Sequence, residues 1–225
     1  AGVSSTMLII VVVGLVLPSM FQLVQGRNIP SMSIAVSIIL GIVYILSLFY
    51  TLVTHKHLFT VERDVTARSK PQRWTFTAAI AALLIAIGLA SFISDILVNT
   101  VNPLITTIGL TEQFVGLVLV AVLTNIPEHV SAIIFARRNN MTLSLEIGMS
   151  SALRIALFVV PVLVLLSTAL TGSHLDLVFG PFSLAALVVT AMIANYISSD
   201  GVCHWLEGVQ LTAVYILIAI AFFFI

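Results

Sequence analysis

Charge is what this sequence has least of. Only 8% of its 225 residues are charged, nine acidic against nine basic, and the formal net charge is zero. A nucleic-acid surface needs clustered Lys and Arg, so no nucleic-acid partner is expected. Cysteine is nearly absent as well, and the single Cys203 excludes an internal disulfide framework. No basic residue precedes the first apolar run, so a signal peptide is not expected. What fills the chain instead is apolar, at 60% of residues. No soluble domain of this length could keep so much apolar surface from water. The composition predicts an all-α, polytopic membrane protein whose first partner is the lipid bilayer.

Seven apolar segments can be drawn, at about 6–24, 31–53, 75–98, 112–136, 144–170, 177–197 and 205–225. The first ends near Pro18 and the Gln25-Gly26-Arg27-Asn28 turn. Pro161 predicts a kink in the fifth, and Gly180-Pro181 opens the sixth. The one extended polar stretch, 54–73, divides the chain. It holds Lys56, Arg63, Arg68, Lys70 and Arg73, while Arg137 and Arg138 follow the fourth segment. If every segment crosses, these seven basic residues share one side, which the positive-inside rule makes cytoplasmic. Ala1 is then cytoplasmic and the C-terminus external.

A short repeat is visible. Val43-Tyr44-Ile45-Leu46 recurs as Val214-Tyr215-Ile216-Leu217, an offset of 171 residues that also lays segment one on segment six. The paired segments run in opposite directions, and inverted repeats are a signature of secondary transporters. On this reading residues 1–53 are the last two helices of a first repeat. Residues 54–73 are a cytoplasmic linker, and 74–225 are a second, five-helix repeat. Three helices, on the order of 100 residues, are expected ahead of Ala1, in a missing N-terminal half or a companion subunit.

The stretch Thr124-Asn125-Ile126-Pro127-Glu128-His129 carries the chemistry. A carboxylate deep in an apolar segment is costly and is a functional hypothesis by default. Pro127 lacks an N–H and crowds the carbonyl four residues back, loosening the helix beside Glu128. Freed carbonyls, the Glu128 carboxylate and the polar side chains of Thr124 and Asn125 are ligands for a hard cation. The blander alternatives are interhelical polar contacts for Glu128 and interhelical hydrogen bonds for Thr124 and Asn125. His129 points about 100° away from Glu128 on a helix, so support of the site suits it better than ligation. Glu146, Ser150 and Arg154 recur every four residues and share a face. That face is either a packed polar stripe or the completion of the site, with Ser151 beside it. Arg154 is too deep to snorkel easily and needs a partner, for which Glu128 is the leading candidate.

The run from Asn125 to Ile134, with Ser150-Ser151, Ile155 to Pro161, Asp200-Gly201, Trp205 and Glu207-Gly208, resembles the calcium/proton exchangers of the cation/calcium antiporter superfamily. Their signature reads Gly-Asn-Ala-Ala-Glu-His. The resemblance covers essentially the whole chain and implies an inverted-repeat exchanger fold of two five-helix repeats. Each repeat would give one Glu to a central site that trades calcium for protons by alternating access. It implies Glu128, Asn125, Ser150 and Ser151 around the cation. Glu128, Asp95, His129, Arg154 and Glu146 would lie along the proton or cation pathway, with Asp95 at the outer side unless it is an interfacial cap. The family's Gly is Thr124, its two Ala are Ile126 and Pro127, and its Gln in the next helix is Arg154.

The first expectation is therefore a secondary cation antiporter of the calcium/proton type. It would have no cofactor and sit in a bacterial or archaeal cytoplasmic membrane or an organellar one. The second is a transport-altered or inactive relative in which Arg154 occupies the cation site. An intramembrane hydrolase using Glu128 and His129 is a third, without a paired metal motif or a nucleophile-base spacing to support it.

Overall fold

The computed structural model describes residues 2–26, 30–54, 75–172, 174–199 and 204–224. Every regular element among them is helical. In chain order they are α1 (Gly2–Gln25), α2 (Pro30–Phe49) with a π-turn at Tyr50–Thr54, α3 (Phe76–Ile108) and α4 (Glu112–Thr124). Then come α5 (Ile126–Arg137), α6 (Met141–Arg154), a π-turn at Ile155–Val159, α7 (Val160–Thr171), α8 (Pro181–Ser199) and α9 (Trp205–Phe223). Six spans are long and apolar enough to cross a membrane, and α4 with α5 makes a seventh if counted as one. The linker basics, Arg27, Asp200 and Cys203 lie outside the described residues.

The chain divides into two compact units, Ala1–Phe59 with Thr124–Ile218, and Thr60–Leu123 with Ala219–Ile225. In the second unit Thr75 caps α3, its hydroxyl accepting from the Ala78 N–H at 3.4 Å. The helix runs through Asn99 and Pro103 and stops at Gly109, whose φ of 72° suits a residue without a Cβ. It is ten residues longer than the expected segment end at 98. Thr111 caps α4 and donates to the Phe222 carbonyl at 2.9 Å.

In the first unit α1 packs on α2, α6 and α8, and α2 packs on α7. Val11, Leu15, Leu40, Leu157 and Val164 form the core of this unit. Gly14 lets α1 approach α2: a Cβ there would lie 2.9 Å from Leu40 Cδ2, whereas one at Gly41 would meet nothing within 4 Å. Gly14→Val is expected to destabilise by about 1–3 kcal/mol through overpacking. Gly41→Val should fall within about 0.5 kcal/mol of the parent. Thermal unfolding in detergent compares them.

One sequence expectation is refined and another holds. The fifth segment does not simply kink. Pro161 cannot donate to the Leu157 carbonyl, and the backbone widens into the π-turn just before it. The sixth helix opens at Gly180-Pro181, as expected. Residues 174–180 form no helix, and α8 starts at Pro181. This strap is held by side chains. The Leu177 N–H donates to Ser33 Oγ at 3.0 Å, the Phe179 N–H donates to Ser19 Oγ at 2.9 Å, and Ser19 donates to the Leu177 carbonyl at 3.2 Å. Leu177 itself is 2% exposed and belongs to the core.

Candidate functional site

The helix that carries Glu128 is new, not a continuation. Asn125 leaves the helical region (φ −101°, ψ 13°), and α5 starts at Ile126. Pro127 sits in the first turn, where a missing N–H costs nothing, and Glu128 follows in the same turn. The break is the full form of the loosening expected beside Glu128 from Pro127. It sets Asn125 and Glu128 three residues apart on one side of the helix start. The positive end of the helix dipole lies there and favours a carboxylate.

The partners of this turn are specific. Ser151 is buried on α6 and donates its hydroxyl to Asn125 Oδ1 at 3.2 Å. Asn125 Nδ2 donates to Thr124 Oγ1 at 3.5 Å, and the His129 N–H donates to the Asn125 carbonyl at 3.0 Å as the first turn of α5 closes. Glu128 is half-buried. No described residue hydrogen-bonds or pairs with its carboxylate. The carboxylate is therefore not spent on capping its own helix. His129 is exposed, and among the described residues no hydrogen bond ties its ring to Glu128.

Ser150 and Ser151 part company. They lie about 100° apart on α6, so Ser151 meets α5 while Ser150 faces α1 and α2. Ser150 donates to the Ile147 carbonyl at 3.2 Å and lines a cavity of about 230 Å³ with Glu146 and Arg154. Glu146 Oε1 accepts from the Ser4 hydroxyl at 2.7 Å. The shared face expected for Glu146, Ser150 and Arg154 is present, but it points at this cavity. The expected Arg154–Glu128 ion pair is not formed among the described residues. Helix phase is the reason: Arg154 is three residues beyond Ser151, yet it follows the phase of Ser150, which points elsewhere. Asp95 is exposed on α3, beside Ser91 and Ser94, in the other unit.

Sequence reasoning missed Tyr44, Ser47 and Thr51, which line the cavity from α2. The signal was available, because these three fall at helical spacing in an otherwise apolar segment. At the start of α9, Glu207 accepts from the His204 N–H at 3.0 Å and so caps the helix. Among the described residues no group of three His, Cys, Asp or Glu converges as a resident metal site would require. What the Glu128 turn offers is a carboxylate, an amide oxygen and hydroxyls, the oxygen set of a hard, exchangeable cation.

Residues 78–224 match the sodium/calcium exchanger protein family. The chain is similar to the Ca2+/H+ antiporter of Synechocystis, 36% identical over 95% of this chain and 62% of the antiporter. It is also similar to the vacuolar calcium ion transporter of Schizosaccharomyces pombe, 36% identical over 84% of this chain and 45% of that protein. Its fold is similar to the solved structure of native YfkE, with a TM-score of 0.79 and 33% identity, over 99% of this chain and 62% of that one. The chain thus spans about three-fifths, or less, of the length of these proteins. A broken helix carrying Asn125 and Glu128, multiple membrane spans and these matches lead to one assignment: the chain is a multi-pass integral membrane protein of the sodium/calcium exchanger family.

Proposed function

We propose that this chain forms the C-terminal part of a calcium/proton antiporter, with Glu128 as the shared ligand of cation and proton. The observation that carries the reading is the Ser151–Asn125 hydrogen bond at the break of the helix. It ties the two signature-like stretches together beside an unspent carboxylate. Broken helices that expose backbone and side-chain oxygens are how secondary transporters hold ions near the midplane. Glu128, Asn125 and Ser151 supply oxygens from this chain, and Thr124 positions Asn125. A calcium ion takes six to eight oxygens, so the remaining ligands come from outside this turn. Cation and proton compete for the same carboxylate, which couples their movements in opposite directions.

The reading of an exchanger altered by Arg154 needs the guanidinium beside Glu128. The location of Arg154 on the Glu146 cavity favours the first reading over that one. The test is calcium uptake into proteoliposomes of the complete protein under an imposed pH gradient. Uptake that saturates with calcium and collapses with a protonophore is expected. Uptake indifferent to the pH gradient would sink proton coupling, and no calcium uptake at all would sink the reading.

A further inference from the structure

The cavity between α1, α2 and α6 is built, not incidental. Its walls carry hydroxyls from three helices, with Ser4 on α1, Tyr44, Ser47 and Thr51 on α2, and Ser150 on α6. Among the described residues its charged lining residues are Glu146 and Arg154, on the same helix eight residues and about 12 Å apart. Glu146 lies nearer the turn bearing Arg137 and Arg138, and Arg154 lies deeper. Fully buried Leu157 and the stack of Tyr44 on Phe158, with centroids 5.2 Å apart, back the deep end. Among the described residues Arg154 makes no ion pair or hydrogen bond. Arg154 is exposed on α6 rather than enclosed; a charge at that depth of a membrane span is costly unless water reaches it, and a hydroxyl-lined cavity is the kind that holds water.

We propose that this cavity is a water-filled proton branch, separate from the Glu128 turn, with Glu146 as its proton-accepting mouth and Arg154 as a filter against the cation. Waters pass protons between Glu146 and the bundle interior, held by the oxygens of Ser47, Thr51 and Ser150, whose own protons go to carbonyls of their helices. The carboxylate of Glu146, oriented by Ser4, takes a proton at the mouth and releases it inward. The guanidinium of Arg154 is fixed and positive, so it repels a divalent ion twice as strongly as it would a monovalent one. A relayed proton needs no cation to sit beside Arg154. The proposal rests on the exchange reading and adds a second route to it.

Three variants of the complete protein in proteoliposomes test it. Glu146→Gln keeps the shape and the Ser4 acceptor but cannot carry a proton. Proton-coupled calcium uptake is expected to fall at least tenfold with its pH dependence flattened, and Glu146→Asp should recover most of it. Arg154→Gln is expected to admit calcium without a pH gradient, at severalfold the parent rate. Ser47→Cys, in a Cys203→Ser background, is expected to react with a small impermeant thiol reagent from the side of Arg137. A Glu146→Gln protein with the parent rate and pH profile would overturn the proposal, as would an unreactive Ser47→Cys. Failure of the exchange reading looks different. The natural protein would then take up no calcium, while Ser47→Cys labelling and proton flux read by a dye inside the vesicles still judge the cavity.

Discussion

Glu128→Gln should abolish calcium uptake, to at least 100-fold below the parent, while the protein still folds. Gln keeps the size and the place in the first turn of α5 but removes the charge. A micromolar ion site is worth about 8 kcal/mol, and 100-fold is a loss of only about 3 kcal/mol. Losing the sole carboxylate that the Glu128 turn supplies is expected to exceed that. The competing structural role predicts something else. An acid in a first helical turn contributes about 0.3–1 kcal/mol through the dipole. If that were its whole purpose, Glu128→Gln would lower the melting temperature slightly and leave uptake intact. The geometry argues against a cap, since no described N–H is bonded to the carboxylate. Uptake and thermal unfolding measured on the same preparation separate the two roles.

Ser19→Ala with Ser33→Ala should be the most damaging change to stability. Each serine satisfies a backbone N–H of the strap, Phe179 and Leu177 respectively, at buried positions. A buried donor left without a partner costs about 1–3 kcal/mol, and there is little water to take over. The pair should cost about 2–6 kcal/mol, with coupling between them because both hold one segment. Ser37→Ala is the matched control. Its hydroxyl is fully buried on α2 with no bonding partner among the described residues. Removing it relieves an unmet polar group, so stability should stay level or rise by up to about 1 kcal/mol. Thermal unfolding of the three proteins in one detergent checks this. A double variant as stable as the parent would mean that the strap does not depend on these hydroxyls.

The membrane class was legible from apolar length alone, and so was the existence of each span. Where reading failed, two local rules competed. Asn99 to Pro103 looked like the end of a span, yet α3 runs through it, because Pro inside a membrane helix is tolerated when neighbours or local adjustment meet the freed backbone. Gly180-Pro181 marked the start of α8, but the strap before it was drawn into the apolar segment, since apolar content reports burial and not backbone shape. At the site, Glu128 and Asn125 stood out as polar groups in an apolar run. Their partner Ser151 was named without the contact that joins it to Asn125. Arg154 was expected to face Glu128 and lies the other way round its helix, on the cavity with Glu146 and Ser150. Depth follows from counting residues at 1.5 Å each, whereas azimuth depends on which of two adjacent serines faces α5. The Ser4 hydroxyl on Glu146 was invisible because 142 residues separate the two.

The strap also sets a timetable for assembly. Ser33 and Leu177 are 144 positions apart. At a synthesis rate of roughly 5–20 residues per second, about 7–30 s pass between their emergence. Until then the hydroxyls of Ser19 and Ser33 have no strap to bind, and afterwards the strap has no other described donor or acceptor for the backbone of Leu177. The first two helices must therefore stay together in the membrane, with their serine face open, while the intervening spans are inserted. A nascent chain that lost α1 or α2 to another partner in that interval would reach α8 with a loop it could not bury. Quality control during biogenesis would see that loop as the mark of an unfinished protein.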